Sequence, residues 1–202
     1  MTRRPKRDTK PGKTKSSSAN GNIRIIAGQW RGRKLPVLDA QGLRPTTDRA
    51  KETLFNWLMH DVRDAHCLDL FAGSGGLGFE ALSRYAQHVT FVERDTQAVE
   101  QLKKNAATLK TSTEQLTILH TDALSYLKTC DTPFDIIFVD PPFNQGLLEP
   151  VLNTLIQRQL INSDTCLYIE SEKTLDTLPS SLGFTLDKQK TTDQVAFGLW
   201  HR

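Results

Sequence analysis

At 202 residues, 38% hydrophobic and 24% charged, the chain is long and apolar enough for one domain with a sizeable core. Its charge is uneven: eleven Lys and Arg against the single acid Asp8 give +10 from Met1 to Lys34, so the rest of a chain totalling +3 carries −7. No run approaches the roughly 18 apolar residues of a membrane span and the basic start lacks a signal peptide's apolar stretch, so a cytoplasmic protein without a membrane segment is expected.

In chain order, residues 1–22 hold Lys, Arg, Ser, Pro and Gly with almost nothing apolar, the composition of a disordered tail. A solubilising tail and a polyanion-binding arm both fit it, and the acidic body behind favours a polyanion held by one end. Residues 23–40, "IRIIAGQWRGRKLPVL" and its flank, place two short β-prone runs around Gly28 and Gly32. This reads as a basic hairpin carrying Arg24, Arg31, Arg33 and Lys34, with little core-forming content. Residues 41–202 form the main domain. In "RPTTDRAKETLFNWL", Thr47 or Asp48 can cap a helix along which Ala50, Leu54, Trp57 and Leu58 recur.

From His66 the pattern alternates. Strands are expected in "HCLDLFAG", "HVTFVE", "LTILH", "FDIIFVD" and "TCLYIES", and helices over Gly76 to Tyr85, Asp95 to Leu109, Asp122 to Lys128 and Leu147 to Arg158. Five strands separated by helices imply an α/β fold with a parallel sheet covered on both faces. "FTLDKQKT" and "VAFGLWHR" have no comparable helix between them and should pair antiparallel.

Gly73, Gly75 and Gly78 spell G-x-G-x-x-G after a strand and before a helix, and Glu93 ends the next strand. Glycines let the backbone approach a ligand, and an acid at that place accepts both ribose hydroxyls of an adenosine. A ligand-free turn is the plain alternative, and a dinucleotide and S-adenosylmethionine fit the loop equally. Two acids separate the cofactors. Asp69, ahead of the glycines, would face the cationic amino and sulfonium end of S-adenosylmethionine but repel a pyrophosphate. Asp122 can accept from an adenine amino group while the Ala123 amide donates to the ring, although Asp122 can equally be a helix cap.

"FVDPPF" runs a buried strand into an acid and two prolines. A nucleobase amine is a poor nucleophile, because its lone pair is delocalised into the ring. The Asp140 carboxylate and the Pro141 carbonyl, gripping both N–H bonds, would orient the nitrogen and favour its developing positive charge. Pro141 and Pro142 fix φ and bring no competing N–H. Phe143 offers a face on which a flipped base can stack. Cys67, Cys130 and Cys166 are too far apart for a disulfide framework or a C-x-x-C pair, and the five scattered His show no metal spacing, so no metal is expected.

Together, "DLFAGSGGLGFEALSR", "FVDPPF", "RPTTDRAKETLFNWL" and "IRIIAGQWRGRKLP" resemble the bacterial 16S ribosomal RNA guanine-N2 methyltransferases over residues 22 to 202. The resemblance implies a class I, Rossmann-like methyltransferase fold of seven strands with the last inserted antiparallel. It implies S-adenosylmethionine as cofactor, held by Asp69, Phe71, Gly73, Gly75, Glu93, Asp122, Ala123 and Thr46. The substrate is then 16S ribosomal RNA, in the small subunit or its assembly intermediate, with Arg44 to Asp48 near the entering base and the chain acting as a monomer. The rivals are an adenine-N6 or cytosine-N4 DNA methyltransferase, an NAD-dependent oxidoreductase and a non-catalytic ribosome-assembly protein. The DNA enzymes usually carry tyrosine where this chain has Phe143, and the oxidoreductase leaves Asp69 and Asp140 without a task.

Overall fold

The computed structural model describes residues 21–37, 47–175, 177–192 and 195–202. The basic segment 1–20, the expected boundary near residue 40, and Arg44 and Thr46 lie outside them. A small antiparallel sheet pairs β1 (Asn22–Arg24) with β2 (Lys34–Pro36), Arg24 opposite Lys34. The main sheet takes β3 (His66–Asp69), β4 (His88–Glu93), β5 (Leu116–His120), β6 (Ile136–Val139), β7 (Cys166–Glu172), β8 (Thr185–Thr191) and β9 (Val195–His201). Their order is β5-β4-β3-β6-β7-β9-β8. β3 to β7 run parallel, and β9 lies antiparallel between β7 and β8. This is the seven-stranded arrangement that the resemblance implies.

Sequence dictates these strands in a direct way. All four residues of β6 are apolar and buried, as a central parallel strand covered on both faces requires. β8, at the edge, is exposed along its whole length and reads "TLDKQKT", with charges that deter pairing with another chain. Strand order reverses between β3 and β6, so the crevice at their carboxyl ends is where a ligand is expected in such a sheet.

Helices α1 (Asp48–Trp57), α2 (Gly76–Ser83) and α3 (Thr96–Leu109) share one buried cluster with one sheet face, and α4 (Ala123–Thr129) and α5 (Leu148–Gln157) share another with the opposite face. Thr47 caps α1, its side chain accepting the Ala50 N–H at 3.2 Å. Sequence periodicity gives no helix in "TLPSSL". The structure places the four-residue α6 (Leu178–Ser181) there, too short to display a period.

The hairpin corrects the expectation that it carries little core. Ile23, Ile25, Trp30, Leu35 and Val37 are buried in the same cluster as Phe79, Leu82 and Leu102, while Arg24, Arg31, Arg33 and Lys34 stay exposed. α2 explains why. Its residues from Leu77 to Ser83 are all buried, because the sheet covers one side and the hairpin the other.

The polar groups on the hairpin side of α2 answer the hairpin's backbone. The fully buried Glu80 carboxylate accepts the Ile26 and Ala27 N–H groups at 2.7 and 3.1 Å and pairs with Arg84 at 2.8 Å. The Ser83 hydroxyl donates to the Ala27 carbonyl at 2.5 Å and accepts the Trp30 N–H at 3.1 Å. Lys51 on α1, also buried, donates to the Arg24 carbonyl at 2.5 Å. Burial lowers its pKa, opposed by Glu80 and Asp48. Contact is so close at Gly28, which has φ 80°, that a Cβ there would lie 1.8 Å from the Ser83 carbonyl oxygen.

Candidate active site

β3, β4, β5 and β6 end on one side of the sheet, and each delivers an acid or a glycine turn there. After β3 the chain passes Phe71, half-buried against the core, and enters the glycine loop. Gly75 is the left-handed residue immediately before α2, with φ 79°; a Cβ there would come within 2.6 Å of Leu102 and Phe79. A larger residue there would press on that packing and strain the left-handed turn.

Two carboxylates hold this loop. Glu93, at the end of β4, accepts the Gly73 N–H at 2.7 Å through one oxygen and the Asp95 N–H at 2.8 Å through the other. A carboxylate has about four lone-pair sites, so two remain for a ligand's hydroxyls. Asp69, at the end of β3, is only 3% exposed and accepts the Gly78 N–H at 3.0 Å. Burial pushes its pKa up to about 7, the Gly78 hydrogen bond opposing and the Glu93 charge adding to the rise. Sequence reasoning assigns both acids to a ligand; the structure shows that each also braces backbone.

Asp122 is a helix cap. Its carboxylate accepts the Ser125 N–H at 2.9 Å at the start of α4, hydrogen bonds from Ser125 hold its pKa below the usual range, and the next residue, Ala123, is buried. One oxygen of an exposed cap leaves the other available, so capping does not remove the residue from the crevice edge.

The Asp-Pro-Pro-Phe corner follows β6. Asp140 is half-buried, Pro141 buried, Pro142 exposed and Phe143 half-buried. The corner is pinned one residue later, where the left-handed Asn144 donates its N–H to the Glu172 carboxylate on β7. Val139 pairs with Ile169, so Asp140 and Glu170 are the next residues along two adjacent strands. Tyr168, buried on β7, donates its hydroxyl to Glu170 at 2.8 Å. Burial, then the Glu170 and Asp69 charges, raise Asp140 well above the usual carboxylate range. A nearby positive charge would favour the ionised forms of these acids. The part of Glu170 and Tyr168 is absent from sequence reasoning; the signal available was the single acid that ends the apolar run in "LYIES".

Two of the hairpin cations reach neighbouring helices. Arg24 pairs with Asp48 at 3.4 Å, and Arg33 donates to the Thr108 carbonyl near the end of α3 at 3.3 Å. A cavity of about 250 Å³ lined by Asp61, Arg63, Asp64, Asp135 and His201 opens at the opposite, amino end of the sheet. No group of three or more His, Cys, Asp and Glu suited to a metal ion exists among the described residues.

A family model described as Conserved hypothetical protein 95 matches residues 23–201. The chain is similar to the ribosomal RNA small subunit methyltransferase D of Escherichia coli strain K12, 50% identical over 192 residues that cover 94% of this chain and 95% of that one. To the protein of the same name from Haemophilus influenzae it is 48% identical over 190 residues, 93% of this chain and 98% of the other. The solved yhhF structure from E. coli superposes with a TM-score of 0.80 at 50% identity, over 90% of this chain and 98% of that one. A C5,15-methyltransferase from Geobacter metallireducens, at 18% identity and a TM-score of 0.62 over 81% of this chain and 91% of its own, shares the fold alone. On the strength of the family match and these relatives, the chain belongs to the ribosomal RNA small subunit methyltransferase D family.

Proposed function

We propose that the chain transfers a methyl group from S-adenosylmethionine to the exocyclic N2 amine of a guanine in 16S ribosomal RNA, as a cytoplasmic monomer that needs no metal. The observation that carries this reading is the Asp140 to Phe143 corner standing at the carboxyl end of β6 beside the acid-braced glycine loop, in a chain 50% identical to a small-subunit ribosomal RNA methyltransferase.

The donor set suits this cofactor. Two remaining acceptor sites on Glu93 and the buried carboxyl of Asp69 fit an adenosine joined to a cation. S-adenosylmethionine bound there would supply a methyl group on a cationic sulfur that departs as a neutral thioether. The Asp140 carboxylate and the Pro141 carbonyl accept the two N–H bonds of the amine, and the nitrogen lone pair becomes the new N–C bond. A proton then leaves the nitrogen, its bonding pair staying behind, with the Asp140 carboxylate as the first acceptor. Phe143 stacks on the flipped base. Arg31, Arg33, Lys34 and Arg24 contribute phosphate contacts; Arg44 and Thr46 belong to the same reading but lie outside the described residues.

Nucleoside mass spectrometry of ribosomal RNA from cells with and without the gene tests the reading. Loss of N2-methylguanosine is the expected result. Loss of N6-methyladenine instead would move the target to another amine, and an unchanged nucleoside profile would leave a non-catalytic assembly protein.

A further inference from the structure

We propose that the hairpin and the carboxyl-terminal half of α3 together form a phosphate-binding strip for RNA, set well apart from the methyl-transfer end of the sheet. The proposal rests on the reading that the substrate is RNA. Arg33 donates to the Thr108 carbonyl at 3.3 Å, and Asn105 of α3 donates to the Pro36 carbonyl of β2 at 3.2 Å, so helix and hairpin present one continuous surface. These two elements carry the exposed cations Arg31, Arg33 and Lys34 on the hairpin and Lys104 and Lys110 on α3 and its cap, with Arg33 at the contact between them. Among the described residues none of these five forms an ion pair, whereas the nearby Arg24 and Lys103 are paired with Asp48 and Glu100.

Helix-end electrostatics explain part of this arrangement. Arg33 and Lys110 sit where the α3 dipole is negative, which favours a cation there whatever its function. Lys104 lies a turn earlier, and Lys34 and Arg31 lie on the hairpin, so the dipole does not account for them. The Arg33 end of the strip is also remote. α3 begins beside the end of β4, where Glu93 sits, and Thr108 is twelve residues past its first residue, Thr96; at about 1.5 Å per residue that is roughly 18 Å. With about 3.4 Å per stacked nucleotide, the strip meets phosphates roughly five nucleotides from the target, or those of a strand folded against it. Lysines and arginines without an interleaved aromatic read charge and not sequence, so the strip adds affinity to folded RNA and leaves base choice to the corner.

The test is the full-length chain with Arg31→Glu, Lys34→Glu and Lys104→Glu together, titrated with small-subunit RNA at several salt concentrations. Affinity should fall at least tenfold at low salt, and the log–log salt slope should flatten by roughly two to three, at about 0.7–0.9 per phosphate. S-adenosylmethionine affinity and the thermal midpoint should stay at parental values. Should the triple variant unfold early, Lys104→Gln alone, a neutral change on an exposed side chain, should flatten the slope by about 0.7–0.9. Parental affinity and slope in whichever variant is folded would overturn the strip. A parent that binds RNA with the expected slope but methylates nothing would instead retire the enzymatic reading and leave the strip standing.

Discussion

Asp69 and Asp140 carry opposite demands before and after a ligand arrives. The protein without ligand holds Asp69 near a pKa of about 7 and Asp140 well above the usual range; a nearby cation favours the ionised forms. Between about pH 4 and pH 7 the folded chain keeps an Asp69 proton that the unfolded chain, with its ordinary value of 3.8, has released. Stability of the unliganded protein on this residue's account is therefore greatest at low pH and falls as pH rises towards 7. Cofactor binding should release protons, and affinity should rise with pH by up to about tenfold per unit across this window. Calorimetry in buffers of different ionisation enthalpy measures the release; Asp69→Asn should reduce it, and a pH-independent affinity would contradict the assignment. Asp140→Ala removes the proposed acceptor for the amine and should lower turnover by on the order of 10²–10³ while cofactor affinity changes only a few fold. Near-normal turnover in that variant would exclude the acceptor pair. Phe143→Ala should mainly weaken engagement of the base, with Phe143→Tyr milder because the stacking face survives.

Among the elements, α2 and the hairpin are one unit. Burying Glu80 is tolerable because two backbone N–H groups and Arg84 surround its carboxylate; removing it in Glu80→Ala strands those donors and should cost about 3–5 kcal/mol. Gly28→Ala should cost about 1–3 kcal/mol from its left-handed backbone alone, and more because Ser83 blocks the new Cβ. Urea unfolding of both variants is the measurement, and midpoints equal to the parent's would show the hairpin to be a loose appendage. Sequence reasoning reached the five parallel strands, the start of α1 with Thr47 as one of two possible caps, and the glycine turn before α2, and it held a helix cap as the alternative to a ligand role for Asp122, because short-range chemistry sets each of them. It underestimated the hairpin, since "IRI" and "KLP" each show only one or two inward apolar residues. The clue lay elsewhere, in "GLGFEALS", a helix without a polar face that requires a cover on its second side. The backbone contacts of Glu80 and Glu172 were illegible for a related reason: they reach Ile26 and Ala27, 54 and 53 residues away, and Asn144, 28 residues away, and a lone acid in an apolar run looks the same whether it braces backbone or meets a ligand.

For the whole molecule, charge and chemistry are segregated. Acids gather at the carboxyl end of the sheet around Asp69, Glu93, Asp140 and Glu170, where ionised carboxylates would repel phosphates and, on the proposed reading, favour the cationic S-adenosylmethionine. Cations lie on the hairpin, along the end of α3, and in the sequence before residue 21. On the proposed function, RNA is drawn to the cationic side of the molecule and presents a single neutral base to the acidic end. Removing Met1 to Asn20 takes away seven Lys and Arg and the acid Asp8, turning the chain's +3 into −3. The hairpin is held to α1, α2 and α3 through Arg24, Ile26, Trp30 and Pro36, all of which stay in place. Unfolding midpoint and S-adenosylmethionine affinity should accordingly be unchanged, while affinity for small-subunit RNA falls and its salt dependence becomes shallower. If about three of the seven charges meet phosphate, the log–log slope should flatten by roughly two to three. Cutting further, to remove Met1 to Pro36, takes Ile23, Ile25, Trp30 and Leu35 out of the core and uncovers α2, so this shorter chain should fail to give a cooperative unfolding transition. Comparing the two truncations separates a segment that serves only association from one that the fold requires: equal salt slopes for the first and the parent would assign no RNA contact to residues 1–20, and cooperative unfolding of the second would show that α2 does not depend on its cover.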